Sequence, residues 1–156
     1  MTWNLISFIK RKKCTQAEFG ETQASPLPGV SPDELTPLDL AFAGDAVYGL
    51  LVREYLLKSG SRPVKELHTL AVEMVRAEAQ AKAAHIIMPM LTPEETDIYK
   101  RGRNAKVGGI PKSATPGEYH SATGLEALFG ALYLSGKGDR IEELFDAICQ
   151  GDKNED

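Results

Sequence analysis

Between Thr36 and Gly60 the chain spells out a single long helix with a punctuated start and stop, and few sequences of this length constrain a fold more tightly. Thr36 is placed to cap it, Pro37 takes the first helical position, and Asp39 stands where its carboxylate reaches back to a free backbone amide. Ser59-Gly60 supplies the stop. Leu38, Phe42, Tyr48, Val52 and Tyr55 form the expected inward face, and further leucines widen it until the helix must be heavily buried. The same start recurs at Thr92-Pro93-Glu94-Glu95, which opens a helix to about Arg103. Ser61-Arg62-Pro63 begins another helical stretch, in which Leu67, Leu70, Val75, Ala79 and Ile86 recur as far as Pro89; its length predicts two helices with a bend near Val72. Glu118–Ser135 and Arg140–Cys149 read as two more helices. No segment carries the alternation of a strand, so the expected class is all-α, a helical bundle.

A chain of 156 residues holds one domain, and 42% hydrophobic with 26% charged residues supports a packed core. Residues 1–33 are expected to be a flexible lead-in, 34–149 the globular domain and 150–156 an acidic tail. The short apolar stretch at the N-terminus precedes its basic cluster, the reverse of a secretory signal, and is too short to span a bilayer, so no membrane partner is expected. Cys14 and Cys149 show neither metal nor redox spacing and read as free thiols in a reducing, cytoplasmic setting. Trp3 lies in the lead-in, where it builds no stacking platform for bases. Phosphate-loop, zinc and Ser/His/Asp patterns are missing.

Two acids stand where apolar residues are expected. Asp45 has Ala41 and Phe42 one turn before it and Tyr48 and Gly49 one turn after; Glu126 has Ala122 and Thr123 before it and Phe129 and Gly130 after. Neither has a cationic residue at those spacings. An ionised carboxylate buried without a partner costs several kcal/mol, so each must be neutralised, paired with a distant Arg, engaged in capping, or bound to a cation. Oxygen ligands suit a hard divalent ion such as Mg²⁺, and Gly44 and Gly130 would let the two helices approach closely enough to share one.

Charge is unevenly distributed. The net value of −4 alone argues against a nucleic-acid partner, yet Lys100, Arg101, Arg103, Lys106 and Lys112 follow one another with no acid among them. They span the end of one helix and a long Gly/Pro connection from Asn104 to Gly117, where function often resides. Phosphate contact is one reading and a solvated loop the other. His120 suits either substrate contact or helix-start packing, while His68 and His85 read as satisfied core or interface residues.

Five ordered segments resemble mini-ribonuclease III: Leu40-Ala-Phe-Ala-Gly-Asp-Ala-Val-Tyr48; Leu67-His68 with Val75-Arg-Ala-Glu-Ala-Gln-Ala-Lys82; Lys100-Arg-Gly-Arg-Asn-Ala-Lys106; Pro111-Lys112; and Tyr119-His-Ser-Ala-Thr-Gly-Leu-Glu-Ala-Leu-Phe-Gly130. That family resembles the ribonuclease III catalytic domain without its double-stranded-RNA-binding domain. The resemblance covers about residues 34–149. It implies a ribonuclease III-like endonuclease fold acting as a homodimer, a Mg²⁺-dependent endoribonuclease (Mn²⁺ as a substitute) that hydrolyses double-stranded or structured RNA to 5′-phosphate products. The implied task is maturation of the 23S ribosomal RNA precursor, with a ribosomal protein as a further candidate partner. By position, Asp45 and Glu126 match the catalytic, metal-holding acids, and Arg101, Arg103, Asn104, Lys106, Lys112 and His120 fall where RNA would be contacted. Full-length ribonuclease III carries two more acids at the positions of Ala41 and Thr123; this chain has neither, a thinning the mini family shares. Two other readings stay open from the residues alone: a non-catalytic, ribosome-associated RNA-binding helical protein, and a helical protein-interaction module.

Overall fold

The computed structural model describes residues 30–151. The lead-in as far as residue 29, with Trp3 and Cys14, and the acidic tail beyond residue 151 lie outside the described residues. Six helices follow in order: α1 (Pro37–Lys58), α2 (Val64–Val75), α3 (Ala77–Ile87), α4 (Pro93–Arg103), α5 (Pro116–Leu134) and α6 (Gly138–Gly151), with single 3-10 turns at Pro32–Glu34 and Met88–Met90. Among the described residues there is no strand, and the all-α expectation holds.

The helix starts are made by one repeated device. Thr36 donates its amide to Asp39 (2.9 Å) and receives the Asp39 amide on its hydroxyl (3.2 Å). Thr92 and Glu95 do the same (3.0 and 3.2 Å). A third pair, Thr115 and Glu118 (2.9 and 3.3 Å), opens α5 two residues earlier than predicted. Pro116-Gly117 looks like a loop because both residues are breakers elsewhere; Pro in the first turn and a reciprocal cap outweigh one glycine's weak helix propensity. The predicted bend near Val72 sits four residues later, at Arg76, whose extended backbone (ψ 154°) ends α2 and begins α3.

Helix α5 is the centre of the molecule. From Ala122 to Leu134 nearly every residue is buried, because α1, α3 and α4 pack around it and α6 closes the far side. Tyr48 of α1 meets Phe129 of α5 and Phe145 of α6 edge-on, at centroid distances of 5.5 and 5.8 Å, a favourable arrangement of ring quadrupoles. Leu125, Leu128, Ile141, Leu144, Val52 and Ile87 fill the space around these rings.

The inward face of α1 differs from the expected one. Its buried residues are Leu40, Ala41, Gly44, Val47, Tyr48, Gly49, Leu51, Val52 and Leu56, whereas Leu38 and Phe42 point outward and Phe42 is 85% exposed. The predicted stripe joined two faces about a quarter-turn or more apart at 100° per residue. A helix apolar all round gives no internal signal of which side its neighbour takes.

One ion pair ties α4 to α6. The Arg140 guanidinium donates to both oxygens of Glu95 (3.0 and 2.9 Å) and to the Met90 carbonyl (2.6 Å). Glu95 is buried, and the Arg140 hydrogen bond holds its carboxyl below the usual range. The Arg140→Leu variant strands that carboxylate, and should lower stability at pH 7 by about 3 kcal/mol. An ionised Glu95 contributes fully above its unfolded value and loses that contribution as pH falls through its depressed folded value. Urea denaturation of both proteins should therefore show a gap at pH 7 that narrows by pH 3.

Candidate active site

The two helices that carry the suspect acids cross at van der Waals distance. A Cβ built on Gly44 would fall deep inside the radius of the Glu126 carbonyl oxygen, and one on Gly130 inside that of the Leu40 carbonyl. Only glycine fits at either position, because backbone lies where a side chain would start. The crossing sets Glu126 against α1 next to Asp45, as the sequence reading anticipated for Gly44 and Gly130.

Their environments differ. Glu126 is half-buried. Burial drives its carboxyl up to about 7; the hydrogen bond from Gln80 opposes the rise, and the negative charge of Asp45 adds to it. Asp45 itself is exposed, so of the two positions open to it, on or beside the buried stripe, it takes the one beside, and only Glu126 meets the cost of burial. Since α1 presents Gly44 to α5, Asp45 falls 100° further round, at the rim of the crossing. Among the described residues, the side chains that shift Glu126 are Gln80 and Asp45, and neither is a cation.

A half-buried carboxylate close enough to feel the charge of a second suits a hard divalent cation, which prefers oxygen ligands and retains water. Among the described residues no third His, Cys, Asp or Glu joins them. The neighbouring positions one turn before each acid add no ligand either. Ala41 has no donor, and Thr123 is buried with its hydroxyl turned back to the Tyr119 carbonyl (2.9 Å).

The basic segment lies beside the same helix. Gly102 packs so tightly on α5 that a Cβ there would meet Gly124, Ala127 and the Thr123 carbonyl. The last turn of α4, with Arg101, Arg103 and the cap Asn104, is thereby set alongside the stretch of α5 that carries Glu126. Arg103, Asn104, Lys106 and Lys112 are exposed. Arg101 is exposed too and pairs with Asp97 (3.0 Å), a rim contact weak enough to exchange for phosphate. His120 is half-buried in the second turn of α5, and its Nδ1 is buried with no hydrogen-bond partner. His68 and His85, expected to be satisfied in a core or an interface, are exposed in this chain; His68 borders a groove of about 180 Å³ lined by Arg53, Leu57, Val64 and Leu67.

Sequence reasoning passed over Gln80. It is 2% exposed and donates to Glu126 Oε1 at 3.0 Å. The available signal was a lone amide in register with Ala83, Ala84 and Ile87 on the inward face of α3.

The Ribonuclease III domain family matches residues 38–137. A mini-ribonuclease 3 of Symbiobacterium thermophilum is 50% identical over 119 residues, 76% of this chain and 92% of that protein. One from Brevibacillus brevis is 45% identical over 124 residues, 78% of this chain and 92% of its own. A crystal structure of a Fusobacterium nucleatum protein superposes with a TM-score of 0.69 at 34% identity, covering 76% of this chain and 95% of that one.

The raised value of Glu126 has a stability consequence. Its neutral form is favoured on folding, so the stabilisation is complete below the ordinary carboxyl range and is lost as pH rises through about 7. Without divalent cations, Glu126→Gln should exceed the parent protein's stability at pH 8 by about 1–2 kcal/mol, the two converging near pH 4. Adding Mg²⁺ at pH 8 should raise the melting temperature of the parent and leave that of the variant unchanged, as scanning calorimetry would read directly.

Proposed function

Since the chain belongs to the ribonuclease III domain family, as a mini-ribonuclease 3, we propose that it is a divalent-metal-dependent endoribonuclease that cuts double-stranded or structured RNA as a homodimer. The observation that carries this reading is the closeness of Asp45 and Glu126 at a backbone-to-backbone helix crossing, where burial and the charge of Asp45 both raise the Glu126 carboxyl. Asp45 and Glu126 would hold Mg²⁺, with Mn²⁺ as a substitute. When bound, the cation supplies water of lowered pKa and offsets charge growing on the phosphate. With two carboxylates from the protein, its remaining positions fall to water and substrate.

The chain's own groups divide the remaining work. Glu126, rigidly based on α5, fixes the depth of the site, and exposed Asp45 marks its open side, where a phosphodiester can enter. Arg101, Arg103, Lys106 and Lys112 would contact phosphates on both flanks of the cut, with Asn104 and His120 reaching 2′-hydroxyls or base edges across the shallow minor groove of an A-form duplex. The expected substrate is the 23S ribosomal RNA precursor, with a ribosomal protein as a helper and the cytoplasm as the setting. Among the described residues, no helix is long and apolar enough to cross a membrane.

Dimerisation rests on surface. Leu38, Phe42, Leu50 and Leu57 of α1 and Val64 and Val72 of α2 are exposed, and Phe42, Val64 and Leu57 are 85%, 70% and 63% open to solvent. An apolar strip of this kind marks an interface, and a twofold axis through it would supply one site for each strand of a duplex.

Three measurements test the proposal. Asp45→Asn should abolish Mg²⁺-dependent cutting of long double-stranded RNA while leaving folding and RNA binding intact; binding without cutting by the parent protein would favour a non-catalytic RNA binder. The Arg101→Ala/Arg103→Ala pair should weaken RNA binding and flatten its dependence on salt by about two counterions. Phe42→Asp should give a monomer by sedimentation velocity at micromolar concentration, with paired cuts lost.

A further inference from the structure

Gln80 is the buried polar residue that the proposed chemistry leaves unexplained, and its bonds run in two directions. The backbone at Arg76 is extended, which takes the Val75 carbonyl out of the helical ladder between α2 and α3. Gln80 Nε2 donates to that carbonyl at 2.9 Å and, with its other proton, to Glu126 Oε1 at 3.0 Å. The amide cannot be turned over, since Oε1 would then face two acceptors. Its Oε1 is buried and has no hydrogen-bond partner. A residue kept only to fill the core would be apolar, since Ala83, Ala84 and Ile87 continue the same face and leave no polar atom unsatisfied. The amide is retained with one half of its hydrogen-bonding capacity unmet because the other half grips an acid.

From this geometry we propose that Gln80 is a positioning residue that anchors the Glu126 carboxylate to the α2–α3 break and so aims its free oxygen toward Asp45. Glu126 has three side-chain torsions, and the crossing with α1 fixes only its backbone. One oxygen held by Gln80 fixes the plane and direction of the carboxyl group. The other is left to serve the cation. Partners of this kind orient metal-holding groups and are felt in affinity without touching the ion. The anchor point is main chain: Val75 O is a backbone carbonyl at the break, and the Arg76 guanidinium there lies 3.0 Å from Glu73 and 3.5 Å from Glu78. The proposal rests on the metal-dependent nuclease reading for its consequence, and on the Gln80–Glu126 bond for its cause.

The test uses the full chain and Gln80→Leu, which keeps the bulk and removes the donor. With long double-stranded RNA, kcat should fall about 10–100-fold with KM unchanged, and the Mg²⁺ concentration for half-maximal rate should rise by a similar factor. Mn²⁺ alone, titrated by calorimetry, should bind correspondingly more weakly. A loss of folded protein would lower the rate without moving either metal dependence. A folded Gln80→Leu protein with parental kcat and parental Mn²⁺ affinity overturns the proposal. Should that variant fail to fold, the parent still decides: its Gln80 side-chain amide protons, assigned by NMR, should exchange slowly and shift on Glu126→Ala, and fast exchange with no shift overturns it. If the parent itself cuts no RNA with Mg²⁺, the nuclease reading falls while the amide signals continue to judge the anchor on their own.

Discussion

The molecule depends on one contact, the crossing of α1 and α5 at Gly44 and Gly130. Helices normally stand 8–10 Å apart because side chains fill the gap between them. Here each glycine lies where the other helix's carbonyl would exclude a Cβ, so two backbones touch. The close approach sets the depth of the core around Tyr48 and Phe129 and brings the residue after Gly44 beside the residue one turn before Gly130. Asp45 and Glu126 are neighbours for that reason. Any change that pushed the helices apart would dismantle the core packing and the acid pair at once.

The site carries the opposite imbalance from the rest of the structure. At three helix starts acids are matched: Asp39, Glu95 and Glu118 receive backbone amides, and Glu95 also binds Arg140. Glu126 receives a single neutral donor while facing another carboxylate, and its proton affinity rises accordingly. A fold that satisfies acids at three caps leaves Glu126, at the crossing, with burial and a neighbouring carboxylate both opposing its charge. The apolar strip of α1 and α2 is a second unbalanced feature, of surface rather than charge, and lies on the outer side of the same helix.

Much of this was legible beforehand. The Thr-Pro-x-acid starts marked α1 and α4 to the residue, since a reciprocal cap is a local matter of four residues. Asp45 and Glu126 stood out because acids flanked by glycine, alanine and aromatics contradict the surrounding pattern, and the glycines beside them foretold a close crossing. The readings that shifted are those in which the chain alone is degenerate. The bend was placed at Val72, although the ladder breaks at Arg76, because a helical period continues through both positions. Leu38 and Phe42 were assigned inward since α1 is apolar on every side. Gln80 passed unnoticed, for its partner lies 46 residues away on another helix.

Amino-acid order by itself therefore determined where α1 and α4 begin, that the helices pack as an all-α body, and which two acids are out of place, because capping, periodicity and local charge are set by residues within a turn of one another. Tertiary structure alone decided which side of α1 faces α5, that Asp45 lies at the rim while Glu126 lies within, and that a glutamine from a third helix grips the inner acid. Those outcomes depend on where distant segments come to rest, and burial, proton affinity and hydrogen-bond partnership are properties of that arrangement and of no residue taken alone.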